Sequence, residues 1–373
     1  MKLRIENISK KIGNFVLKNT SLEISEGEYF VILGKSGAGK SVLLELITGL
    51  LLPDTGKIFL DDVDITRTKI QKRNIGLVFQ NQSLFPHISV RDNISYSLKM
   101  FGHKKNYIIK RVDEISKLLG IGHLMKRNPS TLSLGEGQRV ALARNLVTEP
   151  SCLLLDEPLS SLDTLTKSEI RRLLRKINRG DFAKNTSTNM SNELRPQTII
   201  HVTHDYEEAI ALADRIAVFE DGQITQIGKP KEIFKNPKSG FIAKFVGIKN
   251  FYRGKLEKNS EKTAVFYTHS NKNNTQIEFH ISNLDYEGAG CIILRSEDIT
   301  ISNGNYESSA RNSLEGIIID IETVRTGIEI VVDIGGMDMS SLITEASLKK
   351  LDLYCNKKVF VSFKSNAAKF IRS

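Results

Sequence analysis

Cysteine is scarce in this chain: Cys152, Cys291 and Cys355 are its only three, far apart in 373 residues. With no C-x-x-C pair and no neighbouring histidine pair, they exclude a disulfide framework and a zinc site and predict reduced thiols. Also missing is any uninterrupted apolar run near the roughly 18 to 20 residues that a membrane span needs, so the chain is not expected to cross a bilayer by itself. The start, Met1-Lys2-Leu3-Arg4-Ile5-Glu6-Asn7, lacks the apolar stretch of a secretion signal. Its alternation reads as a first strand, and the expected location is the cytoplasm. No recognised nucleic-acid-binding motif is present. The net charge of +10 is therefore assigned to solvated lysines rather than to a nucleic-acid partner.

The length predicts two domains, and 40% hydrophobic residues supply ample material for their cores. Residues 1 to about 30 alternate as an antiparallel ribbon with a turn at Gly13-Asn14. An apolar strand, Glu28 to Leu33, then delivers Gly34-Lys35-Ser36-Gly37-Ala38-Gly39-Lys40-Ser41, and an apolar helix follows from Val42. Strand, glycine turn and helix in this order make a phosphate cradle: G-x-x-x-x-G-K-[ST] lets successive N–H groups converge on an anion at a helix N-terminus. Lys40 would reach the β- and γ-phosphates of a bound nucleotide and Ser41 would ligate Mg²⁺. Phe15 stands just upstream, where an aromatic ring either stacks on a purine or fills the core.

Three more apolar strands end in polar groups. Ile75 to Phe79 ends at Gln80, an amide able to meet a metal-bound water and to sense a phosphate. Cys152 to Leu155 ends at Asp156 and Glu157, at the carboxyl edge where open α/β sheets bind ligands. Asp156 is expected to hold Mg²⁺ and Glu157 to act as general base. Ile199 to Thr203 ends at His204, which either helps hold the attacking water or is structural.

Between these strands, residues from Phe85 to Gly120 form a helical region with an apolar stripe through Ile108, Ile109, Val112, Ile115, Leu118 and Leu119. Leu132-Ser133-Leu134-Gly135-Glu136-Gly137-Gln138-Arg139 leads into a helix placed at Val140 to Arg144. Ser133 and Gly135 there form a second anion-facing helix N-terminus, suited to an ATP held by another copy. Ser160-Ser161-Leu162-Asp163 enters a basic helix, and Asp163 is counted with the nucleotide-binding residues. Gly180 to Pro196 reads as a polar surface excursion. Arg215 to Phe219 and Gly222 to Ile224 read as a closing hairpin.

Taken in order, these motifs resemble the ATP-binding subunit of ABC transporters over residues 1 to about 240, with a helical subdomain at about 85–150. The resemblance implies an α/β P-loop NTPase fold with antiparallel β and helical subdomains. It also implies a head-to-tail homodimer with two ATP molecules, each between the P-loop of one subunit and the Ser133 loop of the other. Gln80 and the helical subdomain would touch integral membrane permease subunits, which places the protein peripherally on the cytoplasmic face of the cell membrane. One position departs from the family's L-S-G-G-[QE]: Leu134 replaces the first glycine, so altered loop geometry and slower turnover are expected.

From residue 241 to 373 short alternating strands predict a small all-β, OB-like barrel. Ser309-Ala310-Arg311-Asn312-Ser313-Leu314-Glu315-Gly316 resembles the opening S-A-R-N-x-L-x-G of the molybdate-binding Mop-type (TOBE) module. A tetrahedral oxyanion wants a planar multi-donor and hydroxyls, and Ser309, Arg311, Thr344, Lys364 and Ser365 offer them. The family usually ends K-A-S-S, whereas Lys364-Ser365-Asn366-Ala367 stands here. The combined expectation is the energising subunit of a molybdate or tungstate importer, linked through its permease to an extracytoplasmic oxyanion-binding protein and inhibited by molybdate or tungstate at the barrel. Import of sulfate, a sugar or a polyamine is the alternative. A soluble ABC-type ATPase acting on nucleic acid or ribosomes is another, although paired ATPase units and long heptads are lacking.

Overall fold

The computed structural model describes residues 2–181, 196–235, 237–245, 247–260, 263–270, 275–282, 287–305, 309–324 and 326–372. Most of the polar excursion expected between Gly180 and Pro196 lies outside the described residues. The chain divides into two compact units, Met1–Lys235 and Asn236–Ser373.

In the first unit β1 (Leu3–Ile12) and β2 (Phe15–Ile24) pair antiparallel from Leu3↔Ile24 to Ile12↔Phe15, turning at Gly13-Asn14. Then come β3 (Tyr29–Gly34), α1 (Lys40–Thr48), β4 (Thr55–Leu60), β5 (Val63–Asp64) and β6 (Ile75–Val78). β2-β1-β4-β5 form a four-stranded sheet whose alternating residues Leu3, Ile5, Leu22 and Ile24 are buried. Three helices follow: α2 (Val90–Met100), α3 (Lys105–Leu118) and α4 (Leu134–Leu146), with α2 packed on both α3 and α4. On α3 the buried face is Val112 and Ile115, continued by Leu119. Ile109 is exposed, since it lies on the opposite side of Val112 from Ile115 and so falls outside that face.

The helix expected at Val140 begins six residues earlier, at Leu134. The cause is local: Ser133 Oγ accepts from Glu136 N at 3.2 Å, and Glu136 Oε2 accepts from Ser133 N at 2.8 Å. This capping box satisfies two end groups and outweighs the helix-breaking tendency of Gly135 and Gly137.

The unit is completed by β7 (Cys152–Asp156), α5 (Thr164–Arg179), β8 (Thr198–Thr203), α6 (Tyr206–Leu212), β9 (Arg215–Glu220), β10 (Gln223–Gly228) and α7 (Pro230–Lys235). A six-stranded sheet runs β10-β9-β3-β8-β7-β6; the last five are parallel and β10 closes it antiparallel. β3 and β8 are buried along their whole length, which is why they read as unbroken apolar runs rather than alternations. Parallel pairing brings the carboxyl ends of β3, β6, β7 and β8 to one edge of the sheet. The cradle, Gln80, the acid pair and His204 all follow those ends.

The second unit contains α8 (Gly240–Phe245), β11 (Asn250–Ser260), β12 (Thr263–His269), β13 (Gln276–Ser282), β14 (Gly288–Leu294) and β15 (Thr300–Ser302). It continues with β16 (Asn312–Val324), β17 (Gly327–Asp333), β18 (Asp338–Ile343), α9 (Glu345–Leu351), β19 (Lys358–Phe363) and β20 (Lys369–Arg372). Its strands form two five-stranded antiparallel sheets, β13-β12-β11-β14-β20 and β15-β19-β16-β17-β18. One core, with Phe266, Phe279, Ile330 and Phe363, is built from both.

Candidate functional site

The cradle is set by backbone. Gly39 stands at the N-cap of α1 with φ 101°, a left-handed value, and a Cβ there would run into Phe15 Cζ. α1 has no side-chain cap and no acidic residue in its first turn, so its leading N–H groups are left for an anion. Lys40 is buried, and its Nζ donates to the carbonyls of Gly34 and Lys35 at 2.8 Å each. Burial draws its pKa down, opposed by the carboxylates of Glu157 and Asp156. Its hydrogen bonds among the described residues run to carbonyls of its own loop, and an ammonium at this position is suited to phosphate. A cleft of ≈ 400 Å³ opens over it, lined by Ile12, Phe15, Lys40, Ser41, Gln80 and Glu157 among others.

The acid pair joins the cradle directly. Ser41 Oγ donates to Asp156 Oδ1 at 3.2 Å. Burial raises the pKa of Asp156, partly offset by that hydrogen bond. No group of three His, Cys, Asp or Glu side chains fit to hold a metal occurs among the described residues.

Glu157 has left-handed backbone, φ 45°, and its N–H donates to Val202 O at 3.0 Å. This bend turns the carboxylate to His204, whose Nδ1 lies 3.0 Å from Glu157 Oε1. Gln80 Nε2 donates to Ser160 Oγ at 3.2 Å, and Ser160 Oγ donates to Glu157 O at 3.0 Å. The polar ends of three separate strands thus meet around one cleft.

Other expected residues lie elsewhere. Ser133 caps α4, and a Cβ on Gly135 would meet Thr166 Cγ2 of α5 at 2.6 Å. Asp163 caps α5: its Oδ1 accepts from Leu165 N and Thr166 N at 3.1 Å. None of the three lines the cleft of its own chain. In the second unit Ser309 and Arg311 precede β16, while Lys364 and Ser365 follow β19. Pairing of Asn312 with Phe363 brings both pairs to one end of the sheet. Thr344 is not with them. It caps α9 beyond Ile343, whose partner Ile328 pairs with Thr323 near the far end of β16, up to about 35 Å away along the strand at ~3.3 Å per residue. Asn312 is a bracket rather than a ligand: Oδ1 accepts from His280 N at 2.7 Å and Nδ2 donates to His280 O at 2.9 Å.

Fold and site together define a P-loop ATPase with its acid pair at a parallel strand end. Residues 17–160 match the ABC transporter family and residues 308–370 match the TOBE domain. The molybdate/tungstate import ATP-binding protein WtpC of Pyrococcus abyssi is 40% identical over 367 residues, 98% of this chain and 99% of that protein. The sulfate/thiosulfate import ATP-binding protein CysA of Thermosynechococcus vestitus is 42% identical over 266 residues, covering 71% and 75%. The dimeric post-hydrolysis structure of the ATP-binding cassette MJ0796 bound to ADP and Pi is 31% identical with a TM-score of 0.52, covering 61% of this chain and 98% of that one. The chain belongs to the ABC transporter family, as an import-type ATP-binding subunit with a C-terminal TOBE domain. It is an ATP hydrolase coupled to transport. No described helix is long and apolar enough to cross a membrane.

Lys40→Ala is expected to weaken ATP binding roughly 10- to 100-fold, since a hydrogen bond to a charged group is worth about 1.5–3 kcal/mol. Titration with a fluorescent nucleotide measures this, and unchanged affinity would count against the cradle.

Proposed function

We propose that this chain energises import of molybdate or tungstate, working on the cytoplasmic face of the membrane with a separate permease and, through it, an extracytoplasmic oxyanion-binding protein. The observation that carries the substrate class is the end-to-end likeness to a protein named for that import, across both compact units. The S-A-R-N stretch from Ser309 to Asn312 points the same way.

ATP lies in the cleft with Phe15 against the base, and its phosphates meet the N–H groups from Gly34 to Ser41 and the Lys40 ammonium. Ser41 and Asp156, with Gln80, would hold Mg²⁺, which would neutralise phosphate charge when bound. Glu157 takes a proton from the attacking water, and His204 steadies that carboxylate and the water beside it. The reaction runs by positioning and charge stabilisation, with no covalent intermediate. The second face of the site comes from another copy, whose Ser133, Gly135 and Asp163 sit outside their own cleft and meet the ATP of the partner. Leu134, 56% exposed where the family has glycine, is expected to slow that closure.

In the TOBE-containing unit Ser309, Arg311, Lys364 and Ser365 take the oxyanion, and Thr344 would have to come from a second copy. Ser365 Oγ is enclosed without a hydrogen-bond partner among the described residues, as suits a hydroxyl that meets a ligand. Bound anion favours the open dimer and so restrains import; a coupling of about 1 to 3 kcal/mol is enough.

Calorimetry on the full chain should show tungstate binding, and Arg311→Ala should weaken it at least about tenfold through loss of a charge-assisted pair. Equal binding by the variant would remove this anion site. Reconstitution with the permease and binding protein tests the whole reading: ATP hydrolysis should respond to molybdate or tungstate and not to sulfate.

A further inference from the structure

Beyond β6 the chain enters a turn that the chemistry above does not use. After Gln80 and Asn81 come Gln82 and Ser83, two successive non-glycine residues in left-handed backbone, with φ 57° and 47°. Side chains disfavour that conformation, and it persists where neighbours hold it. The holding groups here come from α4. Arg144 donates to Ser83 O at 2.7 Å and to Gln82 O at 3.2 Å, with its guanidinium 5.6 Å from the centre of the Phe85 ring. From the other side Gln82 Nε2 donates to Leu134 O at 2.8 Å, in the turn that Ser133 caps.

Gly137 makes this contact possible. A Cβ at that position would collide with Gln82 Oε1. Glycine is less favourable than alanine inside a helix, yet here it stands in the first turns of α4 where the amide of Gln82 takes the space of a Cβ.

We propose that Gln82 is a positioning residue, a latch between the Gln80 loop and the turn that presents Ser133. It rests on the reading of Ser133 as the contact to the ATP of a second copy. Gln80 lines the cleft of its own chain. A shift of its loop on nucleotide binding is passed through Gln82 to Leu134 and Ser133, and so to the other ATP. The latch couples the two ATP sites of a dimer through each subunit.

The test breaks the latch from both sides in the full-length protein. Gly137→Ala pushes Gln82 away while favouring the helix, so turnover should fall roughly 3- to 30-fold with a melting temperature equal to or above the parent's. Gln82→Ala should show a similar fall and a lower Hill coefficient for ATP, with nucleotide affinity at the P-loop unchanged. The double variant should be no slower than the worse single one, because both changes remove one contact. Parental turnover and Hill coefficient in both single variants, with Ser133→Ala impaired, would overturn the latch alone. Losses that add in the double variant would overturn it too, by giving the residues separate roles. Parental turnover in Ser133→Ala would remove the underlying reading of that turn, and the latch with it.

Discussion

Glu157→Gln is expected to lower ATP turnover by about 10²- to 10⁴-fold, the range a general base contributes, while leaving ATP affinity unchanged. The two effects separate because different parts of the site supply them. In this reading affinity comes from the loop, from Lys40 and from Phe15; the Glu157 carboxylate bears on Lys40 only by opposing the downward pull of burial on its pKa, which Asp156 also opposes. Glutamine keeps the size of the side chain and the left-handed backbone, and the N–H bond to Val202 O is untouched. It can still meet His204 Nδ1, now 3.0 Å from Oε1, through a hydrogen bond. What it cannot do is accept a proton from water and become neutral. Single-turnover hydrolysis and equilibrium nucleotide binding on the same preparation measure both quantities. Parental turnover would take Glu157 out of the base role, and a matching loss of affinity would make its contribution one of binding. With hydrolysis stalled, the ATP-bound dimer of the variant should also outlive that of the parent in size-exclusion chromatography.

The parts of this site that could be read from the sequence are those whose chemistry is carried by adjacent residues. The cradle is one: spacing inside Gly34 to Ser41 forces the turn, and the apolar run before it is unbroken because β3 is buried along its whole length, as β8 is before His204. The acid pair and His204 were legible for the same reason, each following such a run. Less legible were features made by residues far apart. Gln82 and Gly137 meet across 55 positions, and although Gly137 sits in the Leu132 to Arg139 stretch, nothing there points to Gln82. The start of α4 was written in Ser133 and Glu136, but the glycines between and after them read as a loop. Thr344 and Arg311 both suit an oxyanion, yet the register of β16, β17 and β18 sets them at opposite ends of one sheet within a chain. Residue type alone holds no information about that register. Asn312, inside a recognised stretch, pins β16 to His280 through both its amide oxygen and its amide nitrogen, a structural duty rather than a ligand's.

Arg73→Met should destabilise the ATPase unit by about 3–5 kcal/mol, the upper part of the single-substitution range. Nothing in the sequence marks this arginine, yet it is 1% exposed and buries a full charge. Its guanidinium donates to Leu46 O at 2.9 Å, Ile47 O at 2.8 Å, Thr66 O at 2.8 Å and Thr68 O at 2.9 Å. No carboxylate pairs with it among the described residues, and burial alone pulls its pKa down. The compensation is the C-terminal end of α1, where the helix dipole is negative and Leu46 O otherwise accepts only from the Gly49 N–H of the cap, at 3.2 Å, among the described residues. Methionine fills similar space and strands those carbonyls, at about 1–3 kcal/mol for each one left unsatisfied, less what water recovers. Arg73→Lys should fall between the two, because one ammonium cannot reach four carbonyls on two segments. For a unit of this size 3–5 kcal/mol lowers the melting temperature by roughly 6 to 20 °C, readable by calorimetry. A shift under a degree or two would show that the carbonyls find other partners. The other end of α1 carries Lys40 and Ser41, and β6, which starts two residues after Arg73, leads to Gln80. Loosening this clamp should therefore also raise the KM for ATP well below the melting range, since the same residue fixes the helix under the phosphates and the strand that aims the amide.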